Sequence, residues 1–166
     1  MSCTQLHRHA SELLVYGPVT DVSDDSLATG GTCTARLYDP SKDQTVTAAV
    51  TGTSWPVSRP GILAAGDSVR LELDDGTWHL TTITTVGAST IDVNAAPPSQ
   101  ASAGRVVYVK LGDTVSMTEV ASTAKYQGTL GPAAQHLLGV SLVRVEYTLS
   151  MGGGLTGHEA YEATVV

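Results

Sequence analysis

Cys3, His7 and His9 place one thiol and two imidazoles, all zinc-ligating groups, close together at the start of this 166-residue chain. A structural zinc site takes four ligands at defined spacing, and no fourth stands near these three, so no metal is expected. Asp21, Asp24 and Asp25 in "TDVSDDS" offer oxygen ligands for calcium, but the fixed offsets and closing glutamate of a calcium loop are missing. That stretch reads as a solvated turn. A nucleophilic serine would sit in a Gly-x-Ser-x-Gly elbow, and Ser54 in "TGTSWP" lacks the second glycine and a following helix. Cys33 falls inside a predicted strand, where a buried structural thiol is the ordinary case. His79, His136 and His158 have no spacing that ties them to a carboxylate, and a triad assembled from distant residues is left to the fold.

Glu72, Asp74 and Asp75 beside Trp78 have the composition of a glycosidase carboxylate pair with a sugar platform. Glu72 and Asp74, however, share the polar face of an alternating strand, and so read as the wet side of a hairpin. The glycine pairs and runs at Gly30–Gly31 and Gly152–Gly154 lack the strand, helix and lysine that a phosphate cradle requires. The expectation is therefore no catalytic residue, no cofactor and no metal. Such a chain is a binding or building module rather than an enzyme.

The elements that would position these residues are mostly strands. Leu6, Ala10, Leu13 and Leu14 share a face at helical spacing, so Cys3 to Tyr16 is predicted as a short helix ended by Gly17-Pro18. Residues 1–17 form an N-terminal arm in this reading, and 18–166 a β-rich body, with a possible division near 111 into two packed subdomains. From Val19 the period becomes two. "TCTARLYD" alternates Cys33, Ala35 and Leu37 with Thr34, Arg36 and Tyr38, and "DPSKD" turns the chain into the strand "QTVTAAV". "SWPVSRPG" is expected to be an irregular crossing, because proline cannot donate to a central ladder. Val69, Leu71 and Leu73 alternate along a strand, "DDG" turns, and Trp78, Leu80 and Thr82 share one face of the return. "TIDVNA", "RVVYVKL", "GDTVSMTEV" and "SLVRVEYTLSM" are further strands. "TLGPAAQHLLG" is predicted to hold one or two helical turns, and "HEAYEATVV" returns as a strand whose edge is open to another chain. The fold class is all-β, a small β-barrel or β-sandwich with a short N-terminal helix and one short helical turn segment.

Only 15% of residues are charged, against about 25% in a typical soluble protein, while 42% are hydrophobic. A surface so poor in charge favours a subunit that is covered by neighbours. The net charge of -7 disfavours specific nucleic-acid recognition, which needs clustered Lys and Arg, and also a membrane-surface role. No apolar run approaches the roughly 20 residues that span a bilayer, and the N-terminus does not read as a secretion signal. Cys3 and Cys33 are expected to be reduced.

Two stretches carry a resemblance. "ILAAGDSVRLELDDGTWHLTTITTV" resembles a hairpin of the small β-barrel head-completion, or stopper, proteins of long-tailed bacteriophages. "VTDVSDDSLATGGTCTARLYDPSKDQTVT" resembles the opening strands of Ig-like or fibronectin-like modules in phage structural proteins. The resemblance implies a virion protein of the head-to-tail connector, forming a ring with copies of itself between portal or adaptor and tail tube. Capsid decoration and tail or baseplate positions are the alternatives within the particle. A carbohydrate- or peptide-binding module, with Trp55, Trp78 and the tyrosines as stacking surfaces, is the alternative outside it. Rings close by heterologous contacts. The contacts implied are Leu6, Leu13, Leu14 and Tyr16 of the arm, Pro97 and Pro98 of the small-residue loop, Leu155 of the glycine tip, and Tyr161, Val165 and Val166 of the last strand.

Overall fold

The computed structural model describes residues 5–6, 12–20, 25–130, 140–151 and 156–165. Along these run β1 (Gln5–Leu6), β2 (Glu12–Tyr16), β3 (Thr32–Tyr38), β4 (Gln44–Thr45), β5 (Ser54–Pro56), β6 (Ser68–Glu72), β7 (Trp78–Val86), β8 (Thr90–Val93), β9 (Val106–Glu119), β10 (Tyr126–Leu130), β11 (Leu142–Ser150) and β12 (Thr156–Val165). With 57% of residues in strands, and helical structure among the described residues limited to the 3₁₀ turns Pro40–Lys42 and Pro60–Ile62, the chain is all-β. The strands do not close into a barrel. The chain divides into two compact units: unit 1 comprises Met1–Tyr38 and Leu111–Val166, and unit 2 comprises Asp39–Lys110.

In unit 1 the strand order is β1-β12-β11-β3-β9; β10 pairs the end of β9 and β2 pairs β10. Strict alternation drives this layout. Val143, Val145, Tyr147 and Leu149 of β11 and Cys33, Ala35 and Leu37 of β3 are buried in one core, where Leu14 and Tyr16 of β2 and Tyr126 and Leu130 of β10 join them. Burying each of the valines and leucines among them contributes about 1.5–3 kcal/mol.

The N-terminal segment departs from the expected helix. Gln5–Leu6 and Glu12–Tyr16 are strands, and the part of the predicted helix at residues 7–11 lies outside the described residues. The leucines fit either period, but pairing decides between them. Along β2, Leu14 and Tyr16 are buried while Leu13 and Val15 are exposed, and β10 pairs β2 from Tyr126↔Tyr16 to Leu130↔Glu12. A helix this short is marginal in water, whereas the ladder satisfies the same backbone groups through a partner. Gly17 makes the exit possible. It holds φ at +99°, and a Cβ there would collide with the Ala124 carbonyl, which accepts from Val19 N at 3.0 Å.

The last strand, expected to offer an open edge, has that edge covered at its final two described positions. β12 pairs β11 along its length, and β1 covers its other side in parallel at Thr164 and Val165. "RVVYVKL" and "GDTVSMTEV" are one strand, β9, which supplies residues 106–110 to unit 2 and 111–119 to unit 1. The helical turns expected in "TLGPAAQHLLG" lie outside the described residues from 131 to 139.

Unit 2 is ordered β4-β9-β6-β7-β8-β5. Its two ends meet at the single bridge Val46↔Val57, where Thr47 N donates to Pro56 O at 2.9 Å and Ser58 N to Thr45 O at 3.0 Å. Inside lie Trp55, Leu71, Leu73, Ile83, Ile91 and Val107. The "SWPVSRPG" crossing is thus more ordered than expected. Pro56 is tolerated because β5 has a ladder only with β8 among the described strands. The hairpin β6–β7 pairs Glu72 with Trp78, and its turn relies on Gly76 at φ +80°.

Candidate functional site: an edge strand and a tyrosine cleft

Three tyrosines converge in unit 1. Tyr16 ends β2, Tyr147 lies on β11 and Tyr161 on β12. Tyr16 stacks on Tyr147 with centroids 4.9 Å apart and planes 18° from parallel. Tyr161 tilts against Tyr147 at 5.8 Å, and their hydroxyls are hydrogen-bonded at 3.1 Å. Aromatic pairs of this kind contribute about 0.5–1.5 kcal/mol beyond burial. Beside them opens a cleft of about 170 Å³ lined by Val15, Tyr16, Gly17, Pro18, Tyr147, Glu159 and Tyr161. Strand register brings Glu159 there, since it stands directly opposite Tyr147. Burial pushes the Tyr16 phenol above its ordinary range, and the Glu159 carboxylate and then Cys33 push it further. The cleft thus presents phenol oxygens and a carboxylate, a surface rich in hydrogen-bond acceptors.

Next to the cleft runs a free edge. Among the described residues β2 pairs β10 alone. Its outward side chains are Leu13, 55% exposed, and Val15, 39% exposed. An apolar edge strand is a template for another strand.

The contact residues expected from sequence separate on this framework. Leu6, Leu14, Tyr16 and Val165 are buried in the core of unit 1, so their side chains hold the unit together. Leu13 faces outward, and Tyr161 is half-buried at the cleft. Pro97 is buried and Pro98 exposed, both in unit 2. Leu155 and Val166 lie outside the described residues. Tyr16 and Tyr161 are brought together; Tyr147 and Glu159, which complete the cleft, were not singled out by sequence. A signal existed: Tyr147 and Glu159 are equally distant along the chain from Gly153 in the glycine run.

The chemistry-bearing candidates fall elsewhere. Cys3, His7, His9, Asp21, Asp24 and His136 lie outside the described residues, and Asp25 is exposed. Among the described residues no three His, Cys, Asp or Glu side chains are grouped to hold a metal. Cys33 is buried with its Sγ 3.7 Å from Met117 Sδ, and burial pushes its thiol up to about 11, which suppresses the reactive thiolate. Ser54 begins β5, and its side chain hydrogen-bonds the Asp92 carboxylate. His79 Nε2 is 3.0 Å from the Ala95 carbonyl oxygen. His158 stands opposite Thr148 in the β11–β12 ladder.

The carboxylates around the hairpin serve its loops. Asp74 accepts from Ser102 N at 3.0 Å and Ser102 Oγ at 2.6 Å, and Asp75 accepts from Thr77 Oγ1 at 2.6 Å and Ser99 Oγ at 2.7 Å. Arg105 pairs Glu72 at 3.2 Å and Asp74 at 3.3 Å. The serine and threonine donors hold both aspartates below the usual carboxylate range, opposite to the raised value that a general acid needs. Trp55 is fully buried, and its indole N–H donates to Gly52 O at 2.9 Å. The Arg70 guanidinium lies 3.8 Å from the centroid of Trp78 and occupies one ring face. Trp55 is thus no open sugar platform, while Trp78 stays partly exposed.

No protein family, curated protein or solved structure matches the chain.

Proposed function

We propose that the chain is a structural subunit of a tailed-phage virion, placed in the head-to-tail connector, which joins copies of itself into a ring through the β2 edge of unit 1. The observation that carries this reading is the exposure of Leu13 and Val15 on a strand with one ladder partner among the described residues. A neighbour's strand laid along β2 would satisfy its outward backbone groups and cover both apolar side chains. The low charge content supports burial of surface in an assembly. The phage-like hairpin resemblance falls on β6–β7, in the middle of the unit 2 strand order. Portal or adaptor, tail-tube or capsid proteins are the other partners in this reading.

Immunogold labelling of phage particles with an antibody to this chain tests it directly. Label at the neck is expected. Label on the shell or distal tail would move the subunit within the particle, and unlabelled particles would overturn the virion reading.

A further inference from the structure

We propose that the tyrosine cleft of unit 1 is a receptor for one alkylammonium or guanidinium head, the cationic tip of a lysine or arginine side chain. Size argues first. About 170 Å³ is well short of the roughly 300–1,000 Å³ that drug-sized ligands occupy, and suits a single small head group. The lining argues next. Glu159 is an exposed carboxylate at the cleft, and no Lys or Arg pairs with it among the described residues, where Arg144 instead pairs Glu162 at 3.7 Å. The Tyr147 and Tyr161 hydroxyls, hydrogen-bonded to each other, put phenol oxygens in the lining beside this carboxylate. Ammonium and guanidinium groups carry several N–H donors and no acceptor, the complement of a carboxylate flanked by phenol oxygens. Val15 and Pro18 line the same cleft and give the aliphatic stem of such a side chain an apolar surface.

This inference is independent of where the protein is assembled. The test is an NMR titration of the full chain with tyrosine rings labelled, using n-butylammonium, ethylguanidinium and the neutral 1-pentanol as probes. Saturable shifts of Tyr16, Tyr147 and Tyr161 with both cations and none with 1-pentanol are expected. Glu159→Gln, a substitution at an exposed position, is expected to weaken both by roughly tenfold or more, as loss of a charged hydrogen bond would. No saturable shift, equal binding of 1-pentanol, or unchanged affinity in E159Q would each overturn the proposal. A lysine-containing pentapeptide completes the set. Binding tighter than butylammonium supports a partner's side chain as the source, and equal binding supports a free amine; in either case a cation is what the cleft takes.

Discussion

In unit 2 the polar side chains turn inward on the unit's own loops. Asp39 caps the Pro40–Lys42 turn, Asp67 accepts from Ala64 N, Gln44 accepts from Arg59 N, and Asp74 and Asp75 bind the Ser102 and Ser99 hydroxyls. Its strand ribbon is brought end to end by Val46↔Val57. Unit 1 is built differently. Glu119 likewise accepts from Gly30 N and Ala124 N, but the unit adds a stacked tyrosine cluster with a cleft beside it, and its edge strand presents leucine and valine outward. Both β-rich units satisfy their own loops, and among the described residues unit 1 adds an edge strand with exposed Leu13 and Val15 and a cleft beside it. The lesson is that function here is sought where local satisfaction stops.

The sharpest way to break this contrast is through the cores. Trp55→Ala removes the largest fully buried side chain of unit 2, and an unfolding free energy lower by about 3–5 kcal/mol is expected in urea denaturation. A change below about 1 kcal/mol would show that unit 2 does not depend on that core.

High pH acts on unit 1 next. The folded-state values of Cys33, Tyr16 and Tyr126 are all raised by burial, so their neutral forms stabilise the fold below the unfolded values, and that contribution is lost as pH rises through the folded ones. For Cys33 the window runs from its ordinary 9.0 to about 11, with a loss on the order of 2 kcal/mol. Melting temperature measured across this range should fall, and Cys33→Ala should flatten the fall.

Unit 2 responds at the other end of the scale. Asp74 and Asp75 are held below the ordinary 3.8, so what they contribute is present above that value and lost as pH falls through the folded one. A lower protection factor at the Ser102 amide, its exchange rate measured against the intrinsic rate at each pH, is expected on acidification, because Asp74 Oδ1 is its acceptor. An exchange rate unaffected by Asp74→Asn would remove this assignment. The smallest effect on folding is at the edge: Leu13→Lys should change stability by no more than about 0.5 kcal/mol. In light scattering the same variant should lose self-association, and retained association would place the assembly contact elsewhere.

Much of this architecture was legible in the residues. Val143, Val145, Tyr147 and Leu149 alternate too cleanly for any other element, and Asp39-Pro40 announces its turn. The N-terminal leucines were not decisive, because Leu13 and Leu14 fit a helix face and a strand equally until β10 supplies the partner. Trp55 is followed by Pro56 and Pro60, which suggest a loop, and only the β8 ladder shows the segment to be a strand. The cleft was half visible: Tyr16 and Tyr161 were marked for contact, whereas joining them through Tyr147 and Glu159 needs the β11–β12 register. Neighbours in space that are distant in sequence leave no local pattern.

The interruption of unit 1 by Asp39–Lys110 sets an order of events during synthesis. Chains emerge from the ribosome N-terminus first, so β3 leaves before either β9 or β11, its neighbours in the unit 1 sheet, has been made. Unit 2 is complete in sequence at Lys110, and its two ends are already joined by Asp39 N donating to Val109 O at 2.9 Å. It is therefore the first part of the molecule able to finish folding, and it can hold the start and the remainder of unit 1 close together while the last strands are still being translated.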